Sequence, residues 1–511
     1  MLTRLTVSGF KNLVDTDVRF GPFTCIAGTN GVGKSNLFDA IRFLSNLATH
    51  PLREAALMVR DELSKSGDLR SLFTRTGDEY GDTMELAAEM VISEHGEDDL
   101  GQPATAKTTF LRYELELAYE AETATSAVSR LVIRKELLTY INRGEAVSRL
   151  GFPHKKEWRD SVIIGRRTVD FISTEASENG LLIRRHQEGG GQPQPYAANK
   201  LMRTVLSSVN AGEAATAALA KREMQSWQLL QLEPTALRKP DPIDAPAHMG
   251  SDGAHLPATL YRLARTRGTG VYARVGNRLA ELNEDVQHVF VERDDKRDLL
   301  IMEVQDRSGT SHPARALSDG TLRFLALTVI EEDDQAGGVL CLEEPENGIH
   351  PARIEAMLAL LLDIATDNKT ALEEGTQLRQ VIINTHSPAV VNRLPADSLV
   401  FAEREKVLDA KGRLNNQVKF AALPDTWRTT APKNAIIKIG KQEQESKPAP
   451  SITLGKILAY LNPDAEPIAA ADGSSTDNPV QKNSRAPRLE RRLRDHFANQ
   501  LALFTEAADS L

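Results

Sequence analysis

A glycine-rich run that ends in lysine and serine has the residue types and spacing needed to hold phosphate groups. The run occupies residues 28–35 and reads GTNGVGKS. Glycines allow the backbone to curl so that successive N–H groups face phosphate oxygens, and a helix that follows adds the positive end of its dipole. The pattern predicts that Lys34 contacts the β- and γ-phosphates of a nucleotide and that the Ser35 hydroxyl completes the coordination of Mg²⁺.

The segments on either side of this run are those that such a phosphate site requires. Residues 23–27 have the pattern of a buried strand, and residues 36–47 carry apolar side chains at helical spacing. A strand, a glycine-rich turn and a helix in this order begin a nucleotide-binding α/β unit. Lys34 is also a predicted catalytic residue. The predicted ATP-binding residues are Asn30, Gly31, Gly33, Lys34, Ser35 and Asn36.

Two adjacent carboxylates, Glu343 and Glu344, follow an apolar segment at residues 338–342. Neighbouring side chains at the end of a strand point in different directions, so the two acids can have different roles. Glu343 is predicted to hold Mg²⁺ through its water shell, and Glu344 to polarise the water that attacks the γ-phosphate. Taken alone, such a pair is more typical of a solvated loop. The glycine-rich run favours the catalytic interpretation.

Two further polar turns each have a structural and a functional interpretation. Ser318, Asp319 and Gly320 open an apolar helix, which a simple helix cap would explain. The same hydroxyl and free N–H groups could instead hold a γ-phosphate presented by another subunit. His386 follows the apolar segment 380–384 and either satisfies a structural hydrogen bond or contacts the γ-phosphate. Its place at the carboxyl end of a strand favours the second role.

The apolar pattern along the chain predicts the elements that position these residues. Residues 195–285 have a helical pattern, residues 441–487 resemble a loosely ordered tail with one helix near 454–461, and residues 488–505 form a basic amphipathic helix. The predicted strands lie at residues 84–92, 108–117, 128–138, 161–171, 286–292, 299–304, 339–342, 380–384 and 399–402.

Composition excludes several classes of protein. The chain has 511 residues, of which 41% are hydrophobic and 26% charged, as in an ordinary globular protein. Its formal net charge of −9 excludes a globally basic coat for nucleic acid. Cys25 and Cys341 are too few for a disulfide framework, which favours a reducing cytoplasm. We expect neither a signal peptide nor a membrane-spanning segment, and therefore no membrane partner.

Taken together, the motifs resemble the ATP-binding-cassette class of P-loop ATPases. Within that class they resemble the RecF/SMC/OLD-like branch known as AAA_21. The resemblance covers about residues 1–50 and 285–405. It rests on LTVSGFKN at residues 5–12, LSDGTLRFLAL at 317–327, LEEPENGIHP at 342–351 and NTHSP at 384–388.

The resemblance implies an α/β fold: a two-lobed ABC-ATPase head with a mixed sheet, an antiparallel β subdomain and an inserted α/β-helical region. It implies ATP and Mg²⁺ as cofactors, Ser35 and Glu343 as metal residues, Glu344 as catalytic base and His386 as a catalytic switch residue. Two heads would close face to face around two ATP molecules, as a homodimer or a higher even oligomer. In that arrangement Ser318, Asp319 and Gly320 would act in trans on the partner's ATP.

These patterns suggest four domains. Residues 1–120 form the N-terminal lobe with the Walker A run, and residues 121–284 form the inserted region. Residues 285–430 form the C-terminal lobe with the signature motif, the Walker B acids and the switch histidine. Residues 431–511 form a tail with a basic helix.

Three hypotheses describe what such an ATPase would do. The first is a DNA-linked ATPase of genome maintenance or anti-phage defence that works with a separate nuclease or effector protein. The second is a nucleotide-locked scaffold that sequesters or activates a partner protein without acting on nucleic acid. The third and least favoured is a transporter subunit. Candidate DNA contacts are the basic clusters at residues 155–156, 166–167, 184–185, 262–274 and 488–494.

Overall fold

The computed structural model describes residues 1–59, 68–122, 129–373, 375–408, 412–430, 436–439, 442–445 and 448–461. Among the described residues, no helix combines the length and the apolar character needed to cross a membrane. The helices of this part of the chain are α1 (Lys34–Leu47), α2 (Leu52–Met58), α3 (Ala146–Leu150), α4 (Lys156–Val162), α5 (Ala211–Gln225), α6 (Pro234–Leu237), α7 (Leu256–Arg267), α8 (Gly270–Leu282), α9 (Asp319–Glu332), α10 (Ile354–Ile364), α11 (Pro388–Val391) and α12 (Leu454–Leu461).

The same part of the chain contains twenty-four strands. The first thirteen are β1 (Leu2–Ser8), β2 (Thr16–Arg19), β3 (Phe23–Ala27), β4 (Arg75–Thr76), β5 (Glu79–Tyr80), β6 (Thr83–Val91), β7 (His95–Glu97), β8 (Pro103–Thr105), β9 (Phe110–Glu120), β10 (Arg130–Tyr140), β11 (Ile172–Ser177), β12 (Gly180–Arg185) and β13 (Gln194–Ala197). The others are β14 (Gln228–Leu230), β15 (Asp241–Pro242), β16 (Val286–Asp294), β17 (Leu299–Asp306), β18 (Ser311–Pro313), β19 (Gly338–Glu343), β20 (Arg379–Thr385), β21 (Leu399–Leu408), β22 (Leu414–Ala422), β23 (Ile436–Ile439) and β24 (Gln442–Glu445).

A six-stranded sheet in the order β14-β19-β20-β3-β21-β22 forms the centre of one lobe. Its first five strands are parallel, and β22 pairs antiparallel with β21. All five residues of β3 are buried, because helices cover both faces of the sheet. Ile26 points to the face covered by α1, whereas Cys25 and Ala27 point to the face covered by α9 and α10. The apolar run of β3 follows from this two-sided burial.

An eight-stranded antiparallel sheet in the order β13-β12-β11-β10-β9-β6-β1-β2 forms the second lobe. Its core is continuous with that of the central sheet through α1, where Phe43 stacks on Phe10 with ring centroids 5.9 Å apart. A third sheet of four strands, β15 to β18, packs with α7, α8 and α9. The predicted α/β class with an antiparallel β subdomain is therefore confirmed.

The segment 448–461 returns along the central sheet. The Ile452 N–H donates to the Ala422 carbonyl at 2.9 Å, and α12 buries Ile457 in the core beside β21. The predicted helix over residues 454–461 is confirmed, but residues 448–461 are packed and not loosely ordered. The predicted basic helix over residues 488–505 lies outside the described residues.

The predicted strand over residues 161–171 is wrong. Residues 161–162 end α4, residues 163–171 form no strand, and β11 begins only at Ile172. The apolar side chains of Val162 and Ile163 pack with Trp158 in a local cluster. The Thr109 hydroxyl donates to the Val162 carbonyl at 2.7 Å and accepts from the Ile164 N–H at 3.0 Å. These side-chain bonds take the place of strand pairing.

A buried carboxylate on β10 holds the turn that packs against the end of α1. Both Glu136 oxygens accept backbone hydrogen bonds at 2.8 Å, from Val205 and Leu206. In the same turn, the Thr204 hydroxyl donates to the Leu47 carbonyl at 3.2 Å. Burial raises the pKa of Glu136 to about 7, although these backbone bonds oppose the shift.

Stability should therefore depend on pH through Glu136. The folded chain binds this proton more tightly than the unfolded chain, so the stabilisation is present at low pH and is lost as the pH rises from the ordinary carboxyl range to about 7. Glu136→Gln removes this titration. Between pH 5 and pH 8, the free energy of unfolding of wild type should fall relative to the variant by about 2 kcal/mol. Denaturant unfolding of both proteins measures the difference, and a difference independent of pH would contradict the expectation.

Candidate active site

The glycine-rich loop joins β3 to α1 at the carboxyl end of the central sheet. Gly28 is buried, while Thr29, Asn30 and Gly31 are exposed. The Lys34 ammonium folds back over the loop and donates to the carbonyls of Gly28 and Thr29 at 2.7 and 3.0 Å. Burial lowers its pKa, which the neighbouring glutamates partly oppose. The loop thus surrounds a cation at the start of a helix, an arrangement that suits a phosphate group.

Asn12 fixes the end of this loop. Its side-chain amide donates to the Val32 carbonyl at 3.2 Å, and its oxygen accepts from the Asn36 amide at 2.7 Å. Asn12 lies in the loop that connects β1 and β2, where Lys11 also pairs with Asp39 of α1. The second lobe therefore contacts the phosphate loop directly. Sequence analysis used the segment 5–12 for the family resemblance but assigned no role to Asn12.

Gly33→Ala should disrupt this contact. Gly33 has φ +114°, a backbone conformation that other residues rarely adopt, and a Cβ there would lie 2.3 Å from Nδ2 of Asn12. Gly31→Ala is the matched control, because Gly31 has φ +72° but its nearest atom, on Arg404, is 3.9 Å away. We expect Gly33→Ala to weaken binding of a non-hydrolysable ATP analogue by about tenfold or more relative to Gly31→Ala. Equal affinities in a titration would contradict this expectation.

The two acids lie beside the loop because of the parallel register. Glu343 of β19 is opposite Asn384 of β20, and Thr385 of β20 is opposite Ala27 of β3. The carboxyl ends of the three strands are therefore adjacent, as in other open parallel sheets with ligand sites. The Asn384 amide donates to Glu343 at 3.2 Å. The structure thus brings the predicted residues Lys34, Glu343 and Glu344 to one edge.

Glu344 is held by contacts on both carboxylate oxygens. Its Oε1 is 2.7 Å from His386 Nδ1, and its Oε2 accepts from the Asn347 amide at 2.9 Å. Partial burial alone would raise the pKa of Glu344, but the bonds from Asn347 and His386 hold it below its ordinary value. The residue has φ +46°, in the left-handed region. Such strain in a non-glycine residue is typical of functional sites.

The Ser-Asp-Gly turn lies at the start of α9. Ser318 caps the helix by accepting from the Thr321 N–H at 3.2 Å, and Asp319 pairs with Arg238 at 2.5 Å. A Cβ on Gly320 would lie 2.2 Å from the Gly348 carbonyl, so the turn packs closely on the segment that follows Glu344. Within the described residues, no hydrogen bond or ion pair joins this turn to the glycine-rich loop of the same chain.

Sequence reasoning missed four polar residues that fix this geometry: Asn12, Glu346, Asn347 and Asn384. Asn384 is buried, and its side-chain oxygen accepts from the Glu344 N–H at 3.2 Å. The signal that could have identified it is a polar residue at the end of an apolar strand, where a core position would be expected. Asn347 bonds to Glu344 three residues earlier, but the partners of Asn12, Glu346 and Asn384 lie far away in sequence, and spacing alone does not reveal such pairs.

The site residues suit Mg²⁺ bound together with a nucleotide. No group of three or more His, Cys, Asp or Glu side chains in the described chain could hold a metal ion by itself. Mg²⁺ usually keeps several waters and takes one or two protein oxygens plus substrate phosphates. Ser35, exposed in the first turn of α1, and Glu343, half-buried at the end of β19, offer hydroxyl and carboxylate oxygens of this kind.

Two of the four described basic clusters have arginines that pair with carboxylates of the same chain. Three arginines of α7 and α8 contact the end of α9 and the residues after it: Arg262 to Asp333, Arg267 to Asp334 and Arg274 to Glu332. On β12, Arg184 and Arg185 pair with Glu175 and Glu213. Lys155, Lys156 and Arg166 are exposed. The cluster at residues 488–494 lies outside the described residues.

A parallel sheet with a glycine-rich loop between its central strand and a helix, and with acids on the next strand but one, defines a P-loop ATPase. Two family models match the chain: AAA_21 (AAA domain, putative AbiEii toxin, Type IV TA system) over residues 157–392, and AAA_23 (AAA domain) over residues 4–126. Together with the curated relatives described next, these matches support the predicted resemblance to ABC-class P-loop ATPases of the RecF/SMC type.

Curated relatives match short segments only. The DNA replication and repair protein RecF of Porphyromonas gingivalis is 34% identical over 98 residues, which are 19% of this chain and 25% of the relative. RecF of Parabacteroides distasonis is 43% identical over 51 residues, or 10% of this chain and 14% of the relative. The chain thus spans a quarter or less of the length of these relatives.

Solved structures to which this chain is similar include Smc head domains. One is an SmcHead bound to the C-winged helix domain of ScpA, with a TM-score of 0.45, 13% identity and coverage of 83% of this chain and 98% of the other. Another is the Smc head domain with an extended coiled coil bound to the C-terminal domain of ScpA derived from Pyrococcus furiosus. Its TM-score is 0.41, with 13% identity and coverage of 82% and 96%.

Proposed function

We propose that this protein binds and hydrolyses ATP with Mg²⁺, and that two copies close head to head around two ATP molecules. The observation that carries the proposal is the cluster of Lys34, Glu343, Glu344 and His386 at one edge of the parallel sheet. A cation, a metal-binding acid and a base beside a phosphate loop are the groups that phosphoryl transfer to water requires.

Each residue has a role that follows from its position. The Lys34 ammonium exchanges its two carbonyl acceptors for the β- and γ-phosphate oxygens, and the loop N–H groups hold the remaining charge. Ser35 and Glu343 hold Mg²⁺ directly and through water. Glu344 orients and deprotonates the attacking water, and its lowered pKa keeps it ionised at neutral pH. His386 positions that carboxylate and contacts the γ-phosphate.

The turn of Ser318, Asp319 and Gly320 acts in trans. It is exposed at Ser318 and Asp319 and has no hydrogen bond to its own phosphate loop, so its helix N-terminus is free to meet a partner's γ-phosphate. ATP would then hold the dimer closed, and hydrolysis would reopen it. This conformational cycle is the output of the enzyme.

The proposal is tested by ATP turnover and by the mass of the assembly. Purified protein should release phosphate only with Mg²⁺ and ATP, and its mass should double when a non-hydrolysable analogue is added. The Gly33→Ala variant is the control for nucleotide-dependent assembly. A protein that stays monomeric with saturating analogue yet hydrolyses ATP at full rate would contradict the dimer.

We further propose that this cycle serves a DNA-linked process, either genome maintenance or anti-phage defence, in the cytoplasm and with a separate nuclease or effector protein. The names of the RecF relatives support the link to DNA. Lys155, Lys156, Arg166 and Arg265 are exposed candidates for contacts with DNA. Binding to duplex DNA with analogue present, measured at several salt concentrations, tests this role.

The alternative is a nucleotide-locked scaffold for a protein partner. The pairing of Arg262 and Arg274, and of two arginines of β12, with carboxylates of the same chain favours it, because these carboxylates offset the positive charge that a DNA backbone would meet. Co-purification of a partner protein after nuclease treatment, without any DNA binding in the salt series, would support this alternative over the first proposal.

A further inference from the structure

Thr385, the last residue of β20, contacts three loops of the candidate site. Its carbonyl accepts from the N–H of Gly28, the first residue of the phosphate loop, at 3.2 Å. Its hydroxyl accepts from the Ser387 N–H at 2.9 Å and donates to Oε1 of Glu346. Thr385 is fully buried. One side chain therefore ties the residue after His386 to the segment that follows Glu344.

Glu346 is a buried acid that the proposed reaction does not use. It is 8% exposed, and its Oε2 has no hydrogen-bond partner among the described residues. Burial raises its pKa, although the bond from Thr385 opposes the shift. A buried carboxylate with one oxygen unsatisfied is costly, so a purely structural residue at this position would more easily be apolar.

The last described helix, α12, comes near Glu346 through Tyr460. Tyr460 packs edge-on against Phe401 of β21, with ring centroids 5.9 Å apart. Its hydroxyl is buried and lies near the backbone of Gly28 and the carboxylate of Glu346. Lys456, one turn earlier, pairs with Glu403 at 2.8 Å and holds the helix on β21. Glu346 therefore lies near a helix outside the motif regions.

We propose that Glu346 is a positioning residue for ATP hydrolysis, which acts through Thr385 to set His386 against Glu344. The inference rests on the proposed function. The hydroxyl of Thr385 fixes the backbone on both sides of His386, and the His386 ring reaches Glu344 at 2.7 Å. A displacement of about 1 Å at a catalytic group can reduce a rate by about 100-fold. Glu346 therefore controls the rate of the reaction and not the affinity for nucleotide.

Thr385→Val tests the proposal, because valine keeps the shape of threonine and removes the hydroxyl. We expect kcat to fall by about 10- to 100-fold while the dissociation constant of a non-hydrolysable ATP analogue changes by less than about threefold. Thr385→Ser keeps the hydroxyl and should retain at least about half of the turnover. Glu346→Gln keeps the oxygen that accepts from Thr385 and should behave like the serine variant.

Glu346→Ala combined with Thr385→Val should lose little more than either change alone, because both remove the same contact. A second readout does not need turnover: the ring ¹³Cε1 signal of His386, assigned with His386→Gln, should shift in Thr385→Val and stay in place in Thr385→Ser. The proposal would be overturned if Thr385→Val had the same kcat as wild type, or if kcat fell equally in the serine and valine variants. If wild type did not hydrolyse ATP, that result would count against the proposed function. The shift of the His386 signal would then still show whether Glu346 and Thr385 position this histidine.

Discussion

Replacing Glu344 with glutamine is expected to reduce ATP turnover by about 100- to 10,000-fold, the usual contribution of a general base. Glutamine keeps the size of the side chain and its bonding to Asn347, but it cannot take a proton from water. ATP should therefore stay bound and the dimer should stay closed. Phosphate release measures the first effect, and the lifetime of the ATP-bound dimer in size-exclusion chromatography measures the second.

The matched control is Glu157→Gln, the same substitution at an exposed position of α4. It should leave both turnover and dimer lifetime unchanged. Unchanged turnover in Glu344→Gln would remove this residue from its proposed role. Loss of ATP binding in Glu344→Gln would mean that the carboxylate holds the nucleotide site together and does not act as a base.

The sequence was sufficient to predict a strand, a glycine-rich loop and a helix at residues 23–47 and two acids at the end of a strand, because these motifs are short and contiguous. Their proximity also followed from a general property of parallel sheets, whose carboxyl ends form one edge. The predicted helix over residues 454–461 was confirmed, since its apolar spacing is helical throughout. Local patterns of this kind depend on few long-range contacts, and for that reason they can be predicted from sequence.

Contacts between distant segments could not be predicted. Asn12 reaches Val32, Thr385 reaches Glu346, and no periodicity links these positions. The predicted strand over 161–171 was wrong for a related reason. A short apolar run fits a strand and a locally buried cluster equally well, and here the hydroxyl of Thr109 decided between them. The left-handed backbone of Glu344 could not be predicted either, because glutamate rarely adopts this conformation and nothing in the sequence marks it.

Pairing between distant charged residues could not be predicted from sequence either. The arginines of α7 and α8 form a basic cluster in the sequence, but in the structure they pair with the acidic residues at the end of α9 and just after it. The acids lie 58 to 71 residues further along the chain, yet the fold places them beside the arginines. A basic run predicts a surface for nucleic acid only when its neighbours in space are known.

Mixing two inactive variants should restore activity if each site takes residues from both copies. Glu344→Gln removes the base that acts on its own ATP, and Ser318→Arg blocks the turn that acts on the partner's ATP. In a mixed dimer one site contains both defects, while the other contains neither. With random pairing, half of the dimers are mixed and half of their sites are intact, so an equal mixture should reach about a quarter of wild-type turnover.

Each variant alone should be nearly inactive, so the recovery is the diagnostic result. Recovery requires that Ser318 and the phosphate loop of the same chain belong to different active sites. The two described segments share no hydrogen bond, which is consistent with this arrangement. A mixture that stays as inactive as its components would place Ser318 in its own chain's reaction. Mixing Glu344→Gln with Lys34→Ala is the control: both defects then lie on the phosphate-loop side, every site of a mixed dimer has one of them, and no recovery should occur.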